Sequence, residues 1–209
     1  MKYFRITDRF EQNGRWWLGA PKTRSGIELD PRLFTEGKEY RGQTTYPEAA
    51  DEKKLISGKD YGISAPFEIA ISRAGNPLSF TLASFDMPVV SERIAEHLQS
   101  YCGNFIQLLP AVISGNHGRF EILNVVRTVD AIDEEHSEIS WWTEEDGLPL
   151  KTGSYAGIAR LTLSGDKIMG SPIFRLREWE SPLIVAERVK NILESLHSTG
   201  IAFKELTVK

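Results

Sequence analysis

The stretch that most constrains the fold is residues 88–127, PVVSERIAEHLQSYCGNFIQLLPAVISGNHGRFEILNVVR. Apolar residues in its first part recur at spacings of four, four and three, which predicts a helix with one apolar face. These residues are Val90, Ile94, Leu98 and Tyr101. Ser91 is placed to cap the first turn with its side-chain oxygen, and Gly103 is of the type that ends a helix. The pattern therefore predicts a helix over about 88–102.

A β-hairpin is predicted directly after this helix. Two runs rich in β-branched and aromatic residues, Phe105–Ile113 and Arg119–Val129, flank the turn-forming segment Ser114–Gly118. The whole stretch therefore predicts a helix that feeds an antiparallel pair of strands.

A second helix is predicted near the end of the chain, over about 182–198. Its apolar residues form one stripe, and Gly200 follows it. Ser181 could cap this helix, with Pro182 at its first position, where the missing amide has no cost. The stripe consists of Val185, Val189, Ile192, Leu193 and Leu196.

The two predicted helices resemble each other at a constant offset of 95 residues, since 90–100 reads VSERIAEHLQS and 185–195 reads VAERVKNILES. Two amphipathic helices with acidic first turns will look alike without further meaning. The other interpretation is two related strand–helix–strand units. In either case the predicted class is α+β, with mainly antiparallel sheet and two principal amphipathic helices.

The remaining pattern predicts short strands around an irregular segment, residues 20–61, in which Asp30–Phe34 could form one helical turn. We expect a β-rich N-terminal region, 1–85, and an α+β region, 86–209, within one compact unit. A turn over Gln12–Gly14 and a hairpin around Ser164–Asp166 are predicted from their turn-forming residues. The further strands are Lys2–Ile6, Trp16–Leu18, Phe67–Ile71, Leu78–Phe85, Gly157–Leu163, Lys167–Met169, Ile173–Arg177 and Ala202–Val208.

Composition is that of an ordinary soluble globule, with 41% hydrophobic and 26% charged residues in 209. Cys102 is the only cysteine, so neither an intrachain disulfide nor a cysteine-based zinc cluster can form. The first residues lack the pattern of a signal peptide, and no apolar run approaches the roughly 20 residues of a membrane span. We therefore expect a cytoplasmic protein without membrane association.

The net charge of −4 conceals a strongly acidic segment, residues 130–146, which holds eight acids and neither Lys nor Arg. The other 192 residues hold 25 basic and 21 acidic side chains. A solvated loop would explain this, but a local field can also steer a partner of opposite charge, and Trp is enriched at binding hot spots. The second interpretation predicts a partner-binding surface made of Asp133, Glu134, Glu135, Glu138, Trp141, Trp142, Glu144, Glu145 and Asp146.

Alternation along a strand adds one expectation for this segment. Adjacent residues of a strand face opposite ways, so one of Trp141 and Trp142 should be buried and the other exposed.

No motif of catalysis, metal binding or cofactor binding is found in the sequence. The four histidines lack the i, i+4 pairing that binds a metal from one helix face, and no Gly-x-Ser-x-Gly elbow is present. The sequence has no basic stripe interleaved with aromatic residues, so direct nucleic-acid binding is not predicted. These residues leave an enzyme unsupported rather than excluded, and they predict neither a metal nor a cofactor; the prediction of a non-enzymatic, protein-binding chain comes from the resemblance given next. A hydrolase or transferase acting on small molecules, with a site built from dispersed residues, remains the alternative.

Six segments of the sequence together carry a family resemblance. They are FIQLLPAVI at 105–113, RFEILNVV at 119–126, DAID at 130–133, IFRL at 173–176, VAERV at 185–189 and GIAF at 200–203. In these segments the sequence resembles the family-11 immunity proteins of bacterial polymorphic toxin systems, formerly a domain of unknown function. The resemblance spans roughly 86–206, and the first 85 residues match only loosely. It implies an intracellular α+β protein that protects its producer by binding a cognate toxin domain, and it carries no catalytic residues.

Overall fold

The computed structural model describes residues 1–9, 14–41 and 66–209. The described residues form two six-stranded sheets, one two-stranded sheet and three α-helices. The helices are α1 (Glu92–Cys102), α2 (Gly165–Ile168) and α3 (Glu187–Ser195). The strands are β1 (Tyr3–Asp8), β2 (Trp17–Lys22), β3 (Phe67–Arg73), β4 (Phe80–Leu82), β5 (Pro88–Ser91), β6 (Ile106–Ile113), β7 (Phe120–Val125), β8 (Thr128–Val129), β9 (Glu138–Trp141), β10 (Tyr155–Arg160), β11 (Thr162–Leu163), β12 (Ile173–Leu176), β13 (Trp179–Ala186) and β14 (Ile201–Val208).

The prediction of an α+β fold is confirmed, but the sheets are mixed rather than purely antiparallel. The first sheet has the order β2-β3-β6-β7-β5-β4, and the second has β11-β14-β1-β13-β12-β8. Parallel pairs occur in both, since β3 runs parallel to β6, and β11 and β8 run parallel to β14 and β12. Sequence patterning finds strands but does not reveal which distant strands become neighbours.

Both principal helices begin later than the pattern predicts. Residues 88–91 form β5, where Val90 pairs with Phe80 on one side and Glu121 on the other, so this β-branched segment is held in a sheet. Ser181 and Pro182 likewise lie in β13, and α3 starts only at Glu187 and ends at Ser195. Ser91 does occupy the N-cap position of α1, as predicted, whereas the predicted capping role of Ser181 is wrong.

Backbone carbonyls supply the missing caps. The side chain of Ser91 makes no capping hydrogen bond. Instead, the amide of Glu92 donates to the carbonyl of Arg119 at 3.0 Å, and the amide of Glu187 donates to the carbonyl of Lys2 at 3.0 Å. Each carbonyl belongs to the residue just before the middle strand of its unit, β7 or β1. A neighbouring strand thus satisfies a first-turn amide that a side chain usually satisfies.

Five strands in each of the two large sheets share one pairing pattern. In β5–α1–β6 the strands flanking the helix both pair antiparallel with β7, and in β13–α3–β14 they both pair antiparallel with β1. Outer strands correspond too, because β4 and β12 are antiparallel to the first flanking strands, while β3 and β11 are parallel to the second. The offset of 95 residues seen in sequence therefore relates two elements of the same architecture.

Three apolar clusters hold these layers together. The central cluster joins α1, α3 and both large sheets through residues such as Leu98, Val189 and Leu123. A second cluster covers the outer face of the first sheet with Phe34 and Tyr40, and a third covers the outer face of the second sheet. Both faces of each large sheet are therefore covered, which agrees with strands whose sequences are continuous apolar runs.

Other local predictions have mixed outcomes. The hairpin after α1 is confirmed as β6 and β7, and Pro31–Phe34 forms the expected helical turn. The strand over 78–85 shortens to β4, because Phe85 and Asp86 adopt positive φ angles. The predicted hairpin around Ser164–Asp166 is wrong, since residues 165–168 form α2. Residues 12–13 and 42–61 lie outside the described part of the chain.

Candidate partner-binding surface

The acidic segment lies largely in a projection that we call the arm, residues 138–160. β9 and β10 pair antiparallel and form a sheet of their own, separate from the two larger sheets. Ile139 and Ile158 pack into the cluster that covers the outer face of the second sheet. Since a lone two-stranded hairpin is marginal in water, this packing explains how the base of the arm is held.

The far end of the arm, residues 142–154, is the arm tip, and its backbone is internally bonded. Trp142 donates its amide to the carbonyl of Ser154 at 3.0 Å, and Gly153 donates back to Trp142 at 2.9 Å. A capping box closes the turn, because the carboxylate of Asp146 accepts from the Thr143 amide at 2.7 Å and hydroxyl at 2.9 Å. These bonds lower the pKa of Asp146 below its usual value.

The two tryptophans lie side by side on the arm without entering the core. The ring of Trp141 contacts that of Tyr155, with centroids 4.7 Å apart, and the indole is 42% exposed. Trp142 is partly buried, with the ammonium of Lys151 5.1 Å from its ring centroid. The expectation that one of them is buried is wrong, since Trp141 is exposed and Trp142 is only partly buried.

Four of the predicted contact acids are occupied by bonds within the protein. Asp133 contacts the Nδ1 of His136 at 2.8 Å, Glu138 pairs with Arg160 at 3.1 Å, and Asp146 caps its turn. Glu134 accepts a 2.6 Å hydrogen bond from the hydroxyl of Tyr155. These acids shape the arm and hold its base.

Two pKa shifts accompany these bonds. Burial acts to raise the pKa of Asp133, but the hydrogen bonds and charge of His136 outweigh it and lower the pKa overall. Burial, followed by the bond to Glu134, raises the pKa of Tyr155. The hydroxyl is protonated at neutral pH with or without this shift, and it donates the bond to Glu134.

The remaining acids face solvent. Glu135, Glu144 and Glu145 are exposed, and none makes an ion pair or side-chain hydrogen bond within the described residues. Since no Lys or Arg of the described ranges pairs with them, their charge is left for solvent or a partner. The structure thus brings six of the nine predicted residues onto the arm, Glu138, Trp141, Trp142, Glu144, Glu145 and Asp146, and places the other three at its base.

Sequence reasoning missed two residues of the arm tip. Leu150 is fully exposed and Leu148 is 41% exposed. The available signal was the segment Gly147-Leu148-Pro149-Leu150, in which apolar residues alternate with turn formers and lack the periodicity that would bury them.

Outside the arm, the cysteine and the metal-ligating side chains form no candidate reactive or metal-binding site within the described residues. Burial raises the pKa of the Cys102 thiol to about 12, so this cysteine is a small apolar core residue. Within residues 1–9, 14–41 and 66–209, no three metal-ligating side chains are grouped to hold an ion. No helix in the same ranges is long and apolar enough to cross a membrane.

These features define an α+β protein whose most distinctive surface is an ordered, acidic and aromatic projection. The chain belongs to the Immunity protein family (Imm11), whose family model matches residues 39–208. A search of curated proteins found no match. Membership confirms the resemblance seen in the sequence and extends it into the N-terminal half. It implies a toxin-neutralising, non-enzymatic role with a protein partner.

Proposed function

We propose that this chain is a cytoplasmic immunity protein that binds the cognate secreted toxin of a bacterial polymorphic toxin system and neutralises it by occlusion, without catalysis. The single observation that carries the proposal is the family match over residues 39–208. A stoichiometric inhibitor needs a complementary surface rather than an active site, and the arm supplies such a surface.

The arm is the proposed contact because its free acids and indoles suit a basic protein surface. Glu144 and Glu145 on the arm, with Glu135 at its base, provide the unpaired charge that accelerates encounter. Trp141 and Trp142 offer large contact areas with a polar atom each, as hot-spot residues do. A toxin that acts on an anionic substrate has a basic cleft, which an acidic projection can block.

The proposal is tested by co-expressing the chain with the toxin domain encoded beside its gene, scored for growth and co-purification. Growth rescue with a stable complex is the expected result. Rescue without a complex would contradict occlusion and would revive the alternative, an enzyme that reverses the damage. If neither growth rescue nor a complex is observed, the proposal that this chain is the immunity protein for this toxin is contradicted.

The proposed surface is tested by charge reversal at its two free tip acids. Glu144→Lys with Glu145→Lys should slow association with the toxin by about tenfold at low ionic strength, with a smaller effect at high salt. A matched control reverses Glu68 and Glu96, which are also exposed but lie on β3 and α1. Equal association rates for both double variants, measured by stopped flow, would exclude the arm as the steering surface.

A further inference from the structure

We propose that the arm tip is an apolar anchor, with Leu150 and Leu148 inserting into an apolar pocket bordered by basic residues on the protein partner. The inference rests on the proposed function and deepens it, because it names the anchoring side chains and the chemistry of the surface that receives them. The acids bring the partner to the arm, and the leucines hold it there.

The first argument is the concentration of exposed apolar surface. Eight large hydrophobic side chains are highly exposed in the described part of the chain, and three of them lie within the ten residues 141–150. They are Trp141 at 42%, Leu148 at 41% and Leu150 at full exposure. Single exposed leucines are common on proteins, but a cluster on one projection marks a contact site.

The second argument is that hydrogen bonds hold the backbone that carries the two leucines. Lys151 donates its amide to the carbonyl of Leu148 at 2.8 Å, and Ser154 donates its amide to Lys151 at 2.9 Å. With the Trp142–Ser154 bonds and the Asp146 cap, the backbone on both sides of Leu150 is fixed. An ordered loop loses little conformational entropy on binding, so apolar burial there converts efficiently into affinity.

The third argument identifies the partner by charge. The arm carries two bases, and both are engaged, Arg160 with Glu138 and Lys151 with the ring of Trp142. Glu144 and Glu145 lie just before the leucines in the chain and make no ion pair within the part of the chain that the structure describes. A nucleic acid or an anionic membrane would be repelled by this field, whereas a protein surface with basic residues around an apolar pocket is complementary in both respects.

The test uses a catalytically inactive form of the toxin domain encoded beside the gene. Leu150→Ser should weaken the complex by about tenfold, mainly through faster dissociation and equally at low and high salt. Ile27→Ser is the control, since Ile27 is 47% exposed on the N-terminal loop and should be neutral. Unchanged affinity for the Leu150 variant, with the wild type binding, would overturn the anchor while leaving the immunity function intact.

If the wild-type chain does not bind that toxin, the result counts against the proposed function and leaves the anchor to be tested separately. A second probe provides that test. An amphipathic peptide of alternating Lys and Leu is titrated into the isotope-labelled chain and followed by NMR. Shifts confined to residues 141–151, and lost in Leu150→Ser, support the anchor. Shifts elsewhere, or none, overturn it.

Discussion

Gly200 fixes the position at which the two large sheets meet. Its φ angle is +95°, and a Cβ built on it would lie 2.2 Å from the carbonyl oxygen of Phe80. The amide of Phe80 donates to Thr199 at 3.1 Å, and Ser79 and Thr199 exchange further hydrogen bonds. Neither backbone can move away without breaking this junction, so the glycine is required by both conformation and space.

We therefore expect Gly200→Ala to destabilise the chain by several kcal/mol, well above the roughly 1–2 kcal/mol of a left-handed conformation alone. Gly26→Ala isolates that smaller cost, because Gly26 has a φ of +84° with nothing within 4 Å of its Cβ position. Urea denaturation of both variants gives the comparison. Equal losses would show that the Phe80 contact has no energetic weight.

A second prediction for a single residue concerns Cys102. It is 2% exposed on the inner face of α1, and burial raises its thiol pKa to about 12. Because the thiolate is the reactive form, iodoacetamide at pH 8 should alkylate the urea-unfolded chain and leave the native chain unmodified. Rapid alkylation of native protein, measured by mass spectrometry, would contradict the burial of α1.

At the scale of elements, the arm should behave as a unit distinct from the body. Asp146→Ala removes the capping box, so amide exchange in residues 143–154 should accelerate while the melting temperature stays within about 2 °C. Glu145→Ala is the control, since the Glu145 side chain makes no hydrogen bond or ion pair within the described residues. A large fall in melting temperature would mean that the tip supports the core.

The protection that the Asp146 carboxylate gives to the amides of the arm tip should depend on pH. The pKa of this carboxylate is lower in the folded tip than in the unfolded chain. The contribution of Asp146 is therefore present above the unfolded value of about 3.9 and is lost as pH falls through the folded value. Exchange in the wild-type tip should approach that of Asp146→Ala in strongly acidic solution.

Periodicity located both principal helices and missed where they start. Val90 and Val185 fit the apolar stripe, yet each lies in a strand that runs directly into its helix. Local spacing cannot separate the last residues of such a strand from the first turn, because backbone pairing with distant strands decides between them. In the arm, composition found the acids, whereas the leucines became evident only in the tertiary structure, although residues 147–150 lack the periodicity that would bury them.

At the scale of the whole molecule, the chain should unfold in one transition. β1, from the N-terminal region, lies between β13 and β14, and the central cluster joins both sheets. A fragment of residues 86–209 would lose this strand from the middle of its sheet. We expect the fragment to lack a cooperative melt by circular dichroism and the full chain to show one. A cooperative melt of the fragment would contradict this interdependence.

The sequence by itself determined the class of fold, the two helices, the acidic segment and the family, because each depends on local spacing, composition or motif. Only the tertiary structure decided the mixed sheets, the pairing pattern shared by the two large sheets and the division of the acids into those that build the arm and those that face outward. The physical reason is that pairing between distant strands, and the burial or exposure of a side chain, depend on neighbours that are far away in sequence.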